Sequence, residues 1–242
     1  MTGRPVRLIV GCPHGGNRLP APYRPLFAGQ EPRLRSHQGY DAGALRLARE
    51  LAAALDAPLF HATVSRLLID LNRSLGHPRL YSERTRAAPR AVREEILERH
   101  YLPYRRGVER CVAEALAAGL RVVHVNVHSF TPRLGEVVRQ ADVGFLYDPT
   151  RPPEKTFCLH WMAALRRLAP GLRLRRNCPY AGRADGFCTW LRRRHAAEDY
   201  VGIELEVNQR HVIAGGTAWR QLRTDIAASL KTAVEEAAWP AV

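Results

Sequence analysis

Lysine is almost missing from this chain. Of its 242 residues only Lys155 and Lys231 are lysines, so 35 of the 37 basic side chains are arginines. Paired cysteines are missing too: Cys12, Cys111, Cys158, Cys178 and Cys188 are scattered, odd in number and without a CxxC pair. That excludes a disulfide framework and a cysteine-held zinc cluster, and points to reduced thiols in a cytoplasmic protein. No apolar run is long enough to span a membrane, and the opening MTGRPVRLIV has too short an apolar stretch for a secretion signal. There is no internal repeat and no linker, so residues 1–242 read as one domain with a single substantial core.

With so few lysines, the formal net charge of +14 is carried by arginine. Clustered arginines would favour a nucleic-acid partner. Here they are spread along the chain, in helical stretches that also carry glutamates, and no nucleic-acid motif accompanies them. The favoured reading is a solvated surface, with a non-catalytic nucleic-acid-binding protein as the rival from another class. Either reading allows a small anionic substrate.

What is present centres on RVVHVNVHSFTP, residues 121–132. Its β-branched residues predict a buried strand, whose period of two puts His124, Asn126 and His128 on one face. His128 then stands at the strand's C-terminal end, where open α/β sheets bind ligands. A first strand, Val6–Gly11, runs into the tight loop CPHGGNRLP and presents His14 in the same way. Asp41 opens a helical pattern reaching Asp56, as a helix cap worth about 1 kcal/mol or as a carboxylate near the His14 loop, with His37 just upstream.

Leu59–Val64 predicts a strand, after which the apolar Leu67–Ile69 gives way abruptly to Asp70, Asn72 and Arg73, marking a buried segment that emerges into a site. His77–Ala91 reads as a long loop, Val92–Gly119 as a helix interrupted near Pro103, and Gly135–Asp142 as a loop. Val143–Tyr147 predicts a strand, Glu154–Leu168 a helix, Leu172–Arg176 a strand near an edge, and Thr217–Ala238 a closing helix. A second Gly/Pro loop, Asn177–Gly186, carries Tyr180, Arg183 and Asp185. In YVGIELEVNQR, residues 200–210, the alternation sets Glu204 and Glu206 on one strand face; if that strand is central, a metal, an arginine or a catalytic duty must hold them.

His14 and His128 at two strand ends suit two imidazole ligands of a zinc ion, with a third protein ligand and an open position. Zinc would bring the pKa of a water toward ~7, and Glu206, or its neighbour Glu204, would take the proton. Arg73 supplies a planar fork for a substrate carboxylate.

The ordered blocks PHGGN (13–17), DAGA (41–44), SRLLIDLNR (65–73), HSFTP (128–132), NCPYAG (177–182) and IELEVNQ (203–209) resemble the N-formylglutamate amidohydrolase family and, more distantly, zinc carboxypeptidase-like hydrolases. The resemblance implies a three-layer α/β/α sandwich with a mixed central sheet, of the zinc carboxypeptidase-like (phosphorylase/hydrolase-like) kind. It implies hydrolysis of the amide of an N-acylated acidic amino acid such as N-formylglutamate, with a peptide or cell-wall amide as the alternative. It also implies zinc on His14 and His128, a carboxylate-binding pair in Asn72 and Arg73, and Glu206 as base. Where the carboxypeptidase-like pattern has a glutamate three residues after its first His, this chain has Asn17, an amide and so a weaker ligand. Asn17 and Asp41, with His37 behind them, are the candidates for the third ligand. Tyr180 and Arg183 are expected to close over the substrate.

Overall fold

The β-branched runs at 6–12, 121–130 and 200–208 become the three strands on which the molecule is built. A computed structural model describes residues 4–236. Its strands are β1 (Val6–Cys12), β2 (Leu59–His61), β3 (Arg121–Phe130), β4 (Arg133–Leu134), β5 (Val137–Val138), β6 (Val143–Leu146), β7 (Leu174–Arg176) and β8 (Tyr200–Asn208). Six form one sheet in the order β2-β1-β3-β8-β6-β7, and β4 and β5 make a small separate hairpin. Strands β2, β1, β3 and β8 run parallel, β6 is antiparallel to β8, and β7 runs parallel to β6, so the sheet is mixed.

All ten residues of β3 are buried, because both sheet faces are covered. On one face Val123, Val125, Val127, Ile203 and Leu205 pack under the helices Ala44–Ala54, Pro152–Leu168 and Gly216–Glu236, with Leu51, Trp161 and Ile226 at their centre. On the other, Ile9, Val122 and Tyr200 meet Val108, Val112, Phe187 and Leu191 from the helices Leu102–Ala117 and Phe187–Arg192, and Leu68 and Ile69 of the connecting segment. This is the expected three-layer α/β/α sandwich with a mixed central sheet.

Several boundaries differ from expectation for local reasons. The helix expected from Asp41 begins at Ala44: Gly43 is its cap residue, at φ 78°, and no side chain caps it. A positive φ is cheap only for glycine, and Gly43 thereby frees the Asp41 carboxylate for other partners. Strand β2 stops at His61 because its partner β1 ends at Cys12, after which Arg18 takes over the neighbouring position, its amide bonded to the Thr63 carbonyl. The expected loop 77–91 contains a short helix, Glu83–Arg86, whose first turn Ser82 Oγ caps. The break expected at Pro103 lies just before it, as a π-helical turn over Leu97–Tyr101. Proline clashes with the carbonyl four residues back, and one extra residue in the turn relieves the clash. The expected loop 135–142 begins inside the β4–β5 hairpin. Strand β7 is a sheet edge, as read. The closing helix is described to Glu236; Ala238 lies outside the described residues.

The register of β8 leaves one problem for the fold to solve. Strand β6 pairs only with Glu204–Val207, so the earlier half of β8 has an open edge. Side chains close it. Glu154 Oε1 accepts from Gly202 N (3.2 Å), Arg192 NH2 donates to the Gly202 carbonyl (2.6 Å), and Arg151 NH2 donates to the Tyr200 carbonyl (2.9 Å). Arg192 Nε and Glu154 Oε1 also bond each other at 2.9 Å, both buried. Covering an edge with ionic groups is expensive unless each is paired. Arg192→Met should therefore cost about 3–5 kcal/mol in urea unfolding, because it takes from a buried carboxylate its nearest cation and leaves Arg151, 3.3 Å away, as the remaining one, and Glu154→Gln added to it should recover part of the loss.

His124, inside the second core, bonds the Tyr200 hydroxyl through Nδ1 at 2.8 Å. Burial, with Arg192 and His128 adding to it, pushes its pKa down from 6.5 to about 3. The folded chain therefore holds this imidazole neutral where the unfolded chain protonates it. Its contribution is complete above pH 6.5 and is lost as pH falls from there toward 3. Urea midpoints of wild type and His124→Gln measured from pH 7 to pH 4 should converge on acidification.

Candidate active site

Two parallel strand ends deliver the two histidines. His14 is the second residue beyond the end of β1, His128 sits near the C-terminal end of β3, and Glu206 on β8 is its register partner. All three are buried beneath the loops at that edge of the sheet. Between the imidazoles lies Asp41, whose backbone amide donates to the His14 carbonyl at 2.9 Å. His128 Nδ1 donates to Asp41 Oδ2 at 2.8 Å, and His14 Nδ1 lies 3.4 Å from the same oxygen. The ligand atoms of His14, Asp41 and His128 all fall within 4.8 Å of one another. The carboxylate expected near the His14 loop is thus in place, and its helix-capping role is not.

Each histidine is oriented from its other side. His14 Nε2 donates to Asp70 Oδ1 at 2.7 Å, and Asn126 Nδ2 stands 3.1 Å from His128 Nε2. Asp70 in turn accepts from Arg66 Nε and NH2 (3.2 and 2.7 Å) and from the Asn72 amide (3.0 Å). These contacts set the protonation of the cluster. Burial works against every charge here, yet the His14 charge and hydrogen bonds from both histidines hold the Asp41 carboxyl well below the usual range. Arg66 and His14 do the same for Asp70 despite burial. Burial and Arg66 pull the His14 pKa down, but Asp70 and Asp41 outweigh them and raise it; for His128, burial is outweighed mainly by Asp41.

Glu206 is the exception. Burial pushes its carboxyl up to about 8, with His128 opposing and Asp41 and Glu204 adding to the rise. Its Oε2 is buried without a hydrogen-bond partner. The other acid of the strand face, Glu204, has one: Asn72 Nδ2 donates to its Oε1 at 2.9 Å.

These groups open onto a cavity of about 740 Å³ lined also by His37, Arg66, Asn72, Arg73, His77, Arg79 and Tyr180. Arg73 NH1 donates to the Asp185 carbonyl (2.6 Å), while its own carbonyl accepts from Tyr101 Oη (2.7 Å) and Arg105 NH1 (3.2 Å). Arg105 is buried over the Phe187 ring, 4.0 Å from its centroid. The helix read as a solvated arginine face therefore fixes the backbone of Arg73. Asn72 Oδ1 accepts from the Phe187 amide (2.8 Å), so its side chain is engaged at both ends within the protein. Tyr180 stands at the cavity mouth with its hydroxyl accepting from Arg139 NH1 (3.1 Å).

Two expected site residues lie elsewhere. Asn17 lines a separate groove with Leu19, Arg24 and Phe27. The chain there is drawn toward Val64, with which Arg18 forms a bridge, and this carries position 17 away from His14's ring. Arg183 is turned outward, its Nε 3.7 Å from Asp148. Gly182 bonds Asn177 Oδ1 and packs against the Tyr147 backbone, so the next residue faces away from the cavity. Conversely, Arg66 was not singled out from sequence, and Asp70, which the apolar-to-polar switch did mark, was given no role there. Their segment is a chain of turns, with the Leu68 amide bonded to Ser65, and turns have no periodicity from which a face can be read. For Arg66 the available signal was its i,i+4 charge pairing with Asp70.

Among the described residues no helix is long and apolar enough to cross a membrane. No curated protein matches the chain. Among solved structures, the chain is similar to a gene product of Agrobacterium tumefaciens: 27% identity, TM-score 0.80, covering 94% of this chain and 90% of that one. It is also similar in fold to an N-formylglutamate amidohydrolase from Ralstonia eutropha JMP134: 20% identity, TM-score 0.69, covering 96% and 94%. The sequence pattern of N-formylglutamate amidohydrolase matches residues 6–213, which take in β1 with His14, the Asp41 turn, the Arg66–Arg73 segment, β3 and β8. The chain belongs to the N-formylglutamate amidohydrolase family.

Proposed function

We propose that this chain is a metal-dependent amidohydrolase that removes a formyl or other small acyl group from an N-acylated acidic amino acid such as N-formylglutamate. The observation that carries this reading is the unpartnered Glu206 carboxylate, in register with His128 and beside the His14, Asp41 and His128 donors. A buried carboxylate with no hydrogen bond at Oε2 is costly unless a cation or a reaction uses it. The donor set fits zinc: two imidazole nitrogens and one carboxylate oxygen, with Asp70 behind His14 and Asn126 behind His128 to orient the rings. Asp41, rather than Asn17, supplies the third ligand. A zinc ion held there would contribute Lewis-acid chemistry, polarising an amide carbonyl and acidifying water.

The chain's own residues do the rest. With a cation on the His14, Asp41 and His128 donors to offset the burial that raises its pKa, Glu206 would be ionised. It would then accept the proton of the attacking water and return it to the departing amine nitrogen, a task for which its unshared Oε2 is free. Glu204 is unsuited to that shuttle because Asn72 holds its Oε1. Asn72 therefore positions Glu204 and Phe187, and the substrate carboxylate is met by Arg73, whose backbone is fixed by Tyr101 and Arg105. Arg66 keeps Asp70 charged and so keeps His14 in place.

Purified protein should hydrolyse N-formylglutamate and lose that activity to a chelator, with zinc analysis showing about one ion per chain; full activity after metal removal would overturn the metal reading. Glu206→Gln should abolish turnover while the bound metal remains, and loss of the metal instead would make Glu206 a ligand. Arg73→Leu should lower kcat/KM for N-formylglutamate by roughly 10- to 150-fold, the ~1.5–3 kcal/mol of a charge-assisted hydrogen bond, with much less effect on an N-formyl amide lacking the carboxylate.

A further inference from the structure

A second cavity, of about 410 Å³, opens between the edge strand β2 and the π-helical turn Leu97–Tyr101. Its rim carries two cations, Arg18 and Arg99, beside the imidazoles of His61 and His100, and no acidic residue lines it. Its inner wall is apolar, built from Phe60, Ile69 and Leu71.

The charges on this rim are poorly compensated. Arg18 has no ion-pair or side-chain hydrogen-bond partner among the described residues, while Arg99 reaches only Glu95, 3.1 Å away at the exposed end of its helix. His100 Nε2 is buried without a partner. Burial, then Arg18, then Arg99 push the His100 pKa down, with Glu95 opposing them, so both guanidinium charges are close enough to act on the ring. Two guanidinium groups facing a concavity with a single carboxylate, Glu95, to offset them favour an anion there. The local backbone contributes as well. The π-helical turn that Pro103 requires sets both Arg99 and His100 on the cavity side, and such turns are frequent at functional sites.

We propose that this cavity binds a small organic anion, with its carboxylate or phosphate head between Arg18, Arg99 and His100 and its apolar body against Phe60, Ile69 and Leu71. The site is distinct from the metal-side cavity. Ile69 and Leu71 face it, whereas Asn72 and Arg73 of the same segment line the other, so the two cavities share one wall.

Benzoate and phenyl phosphate, titrated separately into the full-length protein, test both the site and the head group it prefers. The readout is the His100 ring resonances in histidine-labelled protein, assigned by His100→Gln, because they report this cavity and not the metal side. At least one probe should shift those resonances saturably, and Arg18→Gln with Arg99→Gln should weaken that binding at least tenfold while leaving the protein folded and N-formylglutamate hydrolysis intact. The head group that binds more tightly identifies the natural class. Unmoved His100 resonances with both probes, or unchanged affinity in the double variant, would overturn the proposal.

Discussion

One buried carboxylate organises the C-terminal edge of the parallel strands. Asp41 Oδ2 stands within reach of both imidazoles, and Arg66 approaches its other oxygen at 3.5 Å. An unpaired carboxylate at that depth would neutralise itself; here opposite charges on three sides hold it ionised. Removing any member strands the rest, because Asp70 depends on Arg66 and His14, and His14 depends on both acids. The cluster thus enforces its own geometry before any ligand arrives.

The sheet supplies the frame for that cluster. Parallel pairing of β1, β3 and β8 brings their C-terminal ends to one edge, and in-register pairing of β3 with β8 sets His128 against Glu206 and Asn126 against Glu204. A shift of one residue would turn both glutamates into the first core, among Val125, Val127 and Trp161, and Leu205 out of it. The cost of that error protects the site. Arginine does much of the remaining fastening. Arg105, Arg192 and Arg223 are buried, and at least two of them hold backbone carbonyls, Arg105 those of Leu71 and Arg73 and Arg192 those of Gly182 and Gly202. A planar fork with five donors serves several acceptors at once, which a lysine cannot do. The scarcity of lysine therefore has a structural use beyond the surface.

The sequence by itself determined the strands that carry the chemistry and the faces they present. A period of two is a strict geometric consequence of the pleat, so His128, Glu204 and Glu206 could be assigned to faces from spacing alone. The ordered motifs likewise marked Arg73, Asn72 and Asp41 as site residues. Tertiary structure alone decided what those residues touch. Asp41 left its cap because Gly43 took the positive φ; Asn17 left the site because Arg18 joined Val64; Arg183 turned outward where Gly182 folded onto Tyr147. Arg66, and the pairing of Asp70 with His14, became visible only once turns without periodicity were folded against the His14 loop. Periodicity encodes the direction of a side chain within an element; it carries no information about loops, where direction is fixed by contacts between residues far apart in the chain.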